Sequence, residues 1–201
     1  KINTNLTLNL AEQAAEVGVK RFVFLSSIGV NGNQNSKPFI ESDIPNPQDS
    51  YAVSKYEAEQ GLFKISKKTG LEIVIIRPPL VYGANAPGNF GRLLCWVRAK
   101  FLLPLPLGAV NNQRSLVAID NLVDFIVTCI VHKDASNEIF LISDDQDLST
   151  TQLLRKIAIA FEKRVILLPI SVRLMTFMAS FLGRGKDANR LFSSLQVDSS
   201  K

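Results

Sequence analysis

The feature that most limits how this chain can fold is a pair of short apolar runs, each preceded by an amphipathic stretch. Arg21-Phe22-Val23-Phe24-Leu25-Ser26-Ser27 is rich in β-branched and aromatic residues and reads as a buried strand, and Leu71 to Ile76 reads as a second. Ahead of the first, Leu6, Leu10, Ala14 and Val17 recur at helical spacing, and Gly18 follows as a stop. Between the two runs, Val53, Ala58, Leu62 and Ile65 form the apolar face of another helix, with Ser50 expected as its N-cap and Gly70 closing it. Helix, strand, helix, strand is the pattern of a parallel sheet covered on both faces.

Beyond Arg77 the alternation loosens. Helical stretches at 90–99, 121–131 and 151–161 are separated by strand-like pieces at 115–119 and 138–142. The segment from Val165 to Leu182 is almost continuously apolar, broken by Pro169 and Arg173. It is short for a membrane span, so a buried strand followed by a helix is expected, with surface attachment to a membrane as the minor reading.

Composition narrows the function classes. Hydrophobic residues make up 46% of the 201 positions and charged ones 20%, which suits a folded domain with a real core. The net charge of +5 comes from Lys and Arg that look scattered in sequence, with no basic stripe interleaved with aromatics. A phosphate-bearing small molecule is therefore expected as partner, and nucleic acid is not. Cys95 and Cys129 sit in apolar helical stretches as small core residues, and one histidine without a Cys-x-x-Cys leaves no metal site. No leader peptide is read at the start, and the location expected is cytoplasmic.

The chemistry is carried by Tyr51-Ala52-Val53-Ser54-Lys55. Residues four apart on a helix share a face, so the phenol and the ammonium can serve one site. A phenol titrates near pH ~10, and a cation beside it is expected to lower that value toward use as a base. Alone the pair is weak, because Tyr and Lys fall at this spacing by chance in many helices. The context is more specific: Ser27 ends a buried strand, where a hydroxyl emerges at the carboxyl edge of a parallel sheet, the ligand edge of open α/β folds.

These residues, with Ile28-Gly29-Val30-Asn31-Gly32, Glu41-x-Asp43-x-Pro45-x-Pro47 and Arg77-Pro78-Pro79-Leu80-Val81-Tyr82-Gly83, resemble the extended short-chain dehydrogenases/reductases of the NAD-dependent nucleotide-sugar 4-epimerase type. The resemblance covers essentially the whole chain and implies a fold: α/β, a partial Rossmann-like parallel sheet with helices on both faces plus a smaller mixed α/β substrate-binding lobe. Residues 1–83 would be the C-terminal part of the NAD-binding domain and 84–201 mainly the lobe, with about 115–132 returning to the sheet core.

The resemblance also implies roles. Ser27, Tyr51 and Lys55 would be catalytic. Asn3, Ser26, Tyr51, Lys55, Pro78, Pro79 and Leu80 would line NAD. Ser27, Asn89, Phe90, Leu105, Leu107 and Arg114 would hold a UDP-sugar, the guanidinium fork of Arg114 on its diphosphate. Asp120 is expected to be a helix N-cap. Relatives of this type are homodimers that pair the helices at 5–17 and 51–67. Leu80 and Ala118 stand where galactose epimerases carry Asn and His, which points to relatives in polysaccharide biosynthesis.

The family's Gly-x-x-Gly-x-x-Gly turn, which seats the pyrophosphate on a helix N-terminus, does not precede Asn3, and Gly29 and Gly32 lie in the wrong context for it. Two readings stay open: a piece of a longer enzyme, favoured by the start on Lys-Ile-Asn, or a shortened relative. Either way these 201 residues alone are expected to bind NAD poorly. The enzymatic alternative to an epimerase is an NAD(P)H-dependent 4-keto-sugar reductase, and the alternative of another class is a non-catalytic nucleotide-sugar binding module.

Overall fold

A computed structural model describes residues 2–84, 88–98, 104–181, 183 and 185–201. Seven helices are found among them, with two parallel sheets. In chain order α1 (Ile2–Glu16) leads into β1 (Arg21–Leu25), and a single 3-10 turn (Ile28–Val30) and a long loop lead to α2 (Ser50–Thr69). Then come β2 (Glu72–Arg77), β3 (Leu80–Tyr82), α3 (Gly88–Arg98), β4 (Leu116–Ala118), α4 (Ile119–Val131) and β5 (Ile139–Leu141). The chain closes with α5 (Thr150–Ala160), α6 (Val172–Phe181) and α7 (Gly185–Phe192).

The main sheet has the order β1-β2-β5, all parallel, with Arg21 opposite Glu72 and Leu25 opposite Ile76. Burial on both faces explains why its central strand is apolar without alternation. Ile73 and Ile75 of β2 point into a core shared with Ala11, Ala58, Leu62 and Ile65 of α1 and α2. Val74 and Ile76 point the other way, into a core with Val117, Leu122 and Cys129 around α4. The second lobe has its own core, in which Phe90, Val97, Leu107, Leu154, Ile157 and Met175 are buried. A two-stranded parallel pair, β3 with β4, stands between these cores, since Leu80 packs on the lobe and Val81 on the α4 side.

Polar contacts lock the ends of this frame. Gly18 and Gly70 both hold left-handed backbone, at φ 78° and 79°, where a Cβ is disfavoured. Arg21 pairs with Glu72 at 2.7 Å and donates to the carbonyls of Cys129 and His132, each at 2.7 Å. A cation there closes the C-terminal end of α4, where carbonyls lack helical partners and the dipole is negative.

Four local expectations change. The N-cap of α2 is Asp49, whose carboxylate accepts from Ala52 N at 2.8 Å, and Ser50 is the first helical residue. Asp120 lies inside the first turn of α4, which starts at Ile119 with Ala118 as N-cap and no side-chain cap bond. Cys95 is exposed on α3, while Cys129 is buried as expected. The apolar segment after Val165 is not a buried strand and helix: Leu167 makes one bridge to Leu105, and α6 turns a large part of its apolar surface outward.

Candidate active site

The carboxyl end of β1 gathers the three residues expected to react. Ser26 N donates to Ile76 O at 2.7 Å, which extends the β1–β2 pairing one residue past the strand. Ser27 then caps the 3-10 turn, with extended backbone (φ −159°, ψ 145°) and its Oγ accepting from Gly29 N at 3.1 Å. That bond uses a lone pair and leaves the hydroxyl proton for another acceptor.

Tyr51 and Lys55 stand one turn apart at the start of α2. Tyr51 is 52% exposed. Lys55 Nζ donates to the carbonyl of Leu25, the last residue of β1, at 2.7 Å, and it lies 4.5 Å from the Phe24 ring centroid and 5.8 Å from that of Tyr51. A methyl group on Gly29 would lie 3.4 Å from both Ser27 Oγ and Ala52 Cβ. The 3-10 turn that holds Ser27 therefore rests on the turn of α2 that holds Tyr51.

The electrostatics differ from expectation. Burial, and then the Asp49 carboxylate, push the Tyr51 phenol above its ordinary value. Burial lowers Lys55, with Glu59 acting against it. In both residues desolvation disfavours the charged form. The expected net lowering of Tyr51 is not found; the Lys55 ammonium is bonded to the Leu25 carbonyl and lies nearer the Phe24 ring than that of Tyr51.

Beneath the site lies a buried polar network that the sequence reading did not assign. Glu59 and Arg77, each 2% exposed, pair through Oε2–Nη2 at 2.6 Å and Oε1–Nε at 3.0 Å. Ser26 Oγ donates to Glu59 Oε1 at 2.5 Å, and Arg77 Nη1 donates to Asn31 Oδ1 at 2.9 Å. Glu59 lies four residues after Lys55 on α2, Ser26 precedes Ser27, Arg77 precedes Pro78, and Asn31 ends the 3-10 turn. The one available signal was spacing: a Glu one turn beyond Lys55 and an Arg closing an apolar strand.

The other expected positions divide. Pro78 and Pro79 are buried beside the site, and Pro78 O accepts from Ile28 N at 3.0 Å. Leu80 begins β3, half-buried against the second lobe. Asn3 is in α1, but its side chain, like that of Asn89, lies outside the described residues. Phe90 is 5% exposed, its ring centroid 6.0 Å from that of Tyr82.

Phe90, Tyr82, Leu116, Asp144, Lys156 and Phe161 are among the residues around a cavity of about 370 Å³ in the second lobe. Its Tyr82 hydroxyl is raised by burial and by a hydrogen bond to Asp144. Leu105 pairs with the 166–168 segment, accepting from Leu168 N at 2.8 Å, and Leu107 is buried with its carbonyl accepting from Thr151 Oγ1. Neither they nor Arg114 line that cavity. Arg114 Nη1 donates to Ser193 O at 3.1 Å, and Ser193 borders a second hollow lined mainly by the loop from Asn31 to Asp49. Among the described residues no cluster of His, Cys, Asp or Glu could hold a metal ion, and no helix is long and apolar enough to cross a membrane.

Comparison with known proteins adds independent observations. A profile of the NAD dependent epimerase/dehydratase family matches residues 1–143. A UDP-glucose 4-epimerase of Vibrio cholerae is 44% identical over 201 residues, which is 98% of this chain and 61% of that protein. An N-acetyl-alpha-D-glucosaminyl-diphospho-ditrans,octacis-undecaprenol 4-epimerase of Escherichia coli O157:H7 is 29% identical over 82% of this chain and 49% of its own length. Among solved structures, a UDP-N-acetylglucosamine 4-epimerase from Bacillus cereus superposes with TM-score 0.79 at 24% identity, covering 98% of this chain and 63% of that one. A UDP-glucose 4-epimerase from Thermotoga maritima does so with TM-score 0.73 at 23% identity, over 98% and 60%. The chain thus spans about half to three fifths of the length of these proteins.

Proposed function

We propose, for a chain that belongs to the NAD dependent epimerase/dehydratase family, that the protein carrying it is an NAD-dependent 4-epimerase of a UDP-sugar. One observation carries the reading. In a chain 44% identical to a UDP-glucose 4-epimerase, Ser27 and the Tyr51–Lys55 pair meet at the carboxyl edge of a parallel sheet, with Lys55 bonded to the strand end.

The residues suit the nicotinamide end of NAD. Tyr51 and Lys55 have partly open polar heads, the Lys55 ammonium has donors beyond the one used on Leu25, and buried Pro78 and Pro79 supply an apolar neighbour. Lys55 and Tyr51 would hold the ribose, with Ser26, Asn3 and Leu80 completing that side. NAD, when bound, supplies the acceptor for a hydride from C4. Tyr51 takes the C4 hydroxyl proton as general base, and Ser27 donates a hydrogen bond to the same oxygen, steadying the 4-keto sugar while it turns. The turned 4-keto sugar would take the hydride back on the opposite face of C4 while Tyr51 returns the proton to the C4 oxygen, so the cofactor ends as it began. Asn89, Phe90, Leu105, Leu107 and Arg114 would shape the UDP-sugar side.

The division at about residue 83 into a cofactor-side part and a substrate lobe belongs to the same reading, with α4 returned to the sheet core. So does a homodimer: Leu6, Leu10 and Val17 leave α1 exposed at 63%, 58% and 80%, and Val53 of α2 is 39% exposed. A cytoplasmic place in polysaccharide biosynthesis fits two unpaired cysteines and the departures at Leu80 and Ala118.

The test is interconversion of UDP-glucose and UDP-galactose, and of their N-acetyl forms, followed by proton NMR with the intact protein. Epimerisation without net change in NADH is expected, and Tyr51→Phe should abolish it while sparing UDP-sugar binding. Steady NAD(P)H consumption with a 4-keto sugar would establish a reductase instead, and UDP-sugar binding without turnover would establish a binding module.

A further inference from the structure

The apolar stretch after Val165 is absorbed by neither the sheet nor the site. Helix α6 is fixed to the second lobe by Met175, 9% exposed, with Ile170 and Val172 packed beside it. On its outer side Leu174, Phe177, Met178 and Phe181 are exposed at 52%, 71%, 56% and 88%. At ~100° per residue these four fall within about 100° of the helix circumference, a continuous apolar stripe. Ile166 and Leu168, 50% and 42% exposed, lie just before the helix. Scattered surface apolar residues need no explanation, but a contiguous row with two open phenylalanines does.

Charge says what the row faces. The whole chain has 23 Lys and Arg against 18 Asp and Glu. From 163 to 186 the sequence holds five cations (Lys163, Arg164, Arg173, Arg184 and Lys186) and no acid, which leaves 18 of each sign elsewhere. That excess of five lies on and beside the apolar helix, with Arg173 on α6 itself and the other four in the segments flanking it, between Glu162 and Asp187. Lys163, Arg164 and Arg173 are exposed. Arg173 precedes Phe177 by one turn and borders the stripe, so its stem can lie along apolar surface with its head toward an anionic layer.

We propose that α6 is a docking helix for an anionic lipid bilayer surface. An apolar stripe flanked by cations is the composition of helices that lie in the interface plane, with apolar side chains in the headgroup–acyl boundary and cations among anionic headgroups. The ten residues of α6 are far too short to span a bilayer, so the contact is peripheral. Docking goes beyond the epimerase reading and does not depend on it.

The experiment is vesicle co-sedimentation of the intact protein, using phosphatidylcholine alone and phosphatidylcholine mixed with phosphatidylglycerol. Binding to the mixed vesicles, weakened by salt, is expected. Phe177→Ser with Phe181→Ser should lower the partition coefficient at least tenfold, and Arg173→Ala should lower it about fivefold. Both variants should keep the parent's unfolding midpoint, since all three side chains are open to solvent. Phe177→Cys in a Cys95→Ser background, which removes the exposed native thiol, provides a second readout: maleimide labelling fast in solution and slowed by mixed vesicles. Failure to bind mixed vesicles, equal binding to both vesicle types, or no response to the Phe177/Phe181 change would each overturn the proposal. Slow labelling without lipid would assign the face to another part of the protein, and concentration-dependent self-association lost in the double variant would assign it to a second copy; either also overturns it.

Discussion

Replacing Arg77 with methionine tests whether the buried pair under the site holds it together. Arg77 supplies both Glu59 oxygens with donors and is the donor to Asn31 Oδ1. Without it, Glu59 keeps the Ser26 hydroxyl bond and the Asn31 carbonyl loses its donor, both in the interior. Removing one member of a buried pair costs ~3–5 kcal/mol, because an uncompensated charge stays behind. Against a total stability of ~5–15 kcal/mol that is a large share. In a unit of ~150–250 residues ~1 kcal/mol shifts the midpoint by ~2–4 °C and in a longer protein by less, and this chain covers only 61% of its Vibrio cholerae relative, so a fall of at most roughly 6–20 °C is expected by calorimetry or circular dichroism on the intact protein. Glu59→Leu combined with Arg77→Met removes both charges, and most of the lost stability should return. Turnover should stay low in the double variant: Glu59 joins the Lys55 helix to Ser26, and Arg77 joins the Pro78 loop to Asn31, so apolar replacements restore burial without restoring these ties. A single Arg77→Met that costs under ~1 kcal/mol would refute the energetic argument. A double variant with full turnover would refute the positioning argument.

The site and frame make further predictions. Asp49→Asn keeps the α2 cap, since Asn caps about as well as Asp, but removes a negative neighbour that raises Tyr51; phenolate is then favoured, so the rising limb of kcat against pH should move to lower pH. Ser27→Ala removes a hydroxyl from the carboxyl end of β1 and, in the proposed reaction, a hydrogen-bond donor to the C4 oxygen; kcat should fall ~10²–10³-fold with little change in UDP-sugar affinity by calorimetry, whereas unchanged kcat would exclude Ser27 from the chemistry. Lys55→Met removes the bond to Leu25 O and should weaken NAD binding in an equilibrium titration of the intact protein. Gly108→Ala would put a Cβ 2.7 Å from Leu167 O, and because that neighbour is backbone, a loss of ~1–3 kcal/mol is expected in urea unfolding.

Legibility in the sequence followed the range of the interactions. The helices and strands around the first sheet could be read because their signals are local: apolar spacing, Gly18 and Gly70 as stops, and a central strand buried on both faces. Tyr51, Lys55 and Ser27 could be named as neighbouring candidates because helical spacing and a strand end fix their places within a few residues. The α2 cap was misassigned by one residue because Asp49 and Ser50 are adjacent cap formers, and only the geometry shows which oxygen meets Ala52 N. Burial of α6 was misjudged because Val172 and Met175 face inward while Leu174, Phe177, Met178 and Phe181 face outward. With both sides apolar, no periodic contrast marks the exposed one. The Glu59–Arg77 pair joins α2 to β2, a contact that spacing alone does not reveal.

The network explains how the site can be both open and well placed. In the proposed reaction Tyr51 and Lys55 must be accessible to bound molecules, and Tyr51 is half exposed with Lys55 as its neighbour on the turn. Exposed side chains are held weakly by their own contacts, so their precision has to come from the backbone beneath them. Each supporting segment is fixed from below: α2 by Glu59, the Ser27 turn by Ser26 and Asn31, and the Pro78 loop by Arg77. A fully satisfied buried network stiffens what it connects, since any displacement leaves a charge unpaired in the interior. Loosening it should therefore act on kcat more than on KM for the sugar, because the reacting groups move relative to one another while the second lobe keeps its own core.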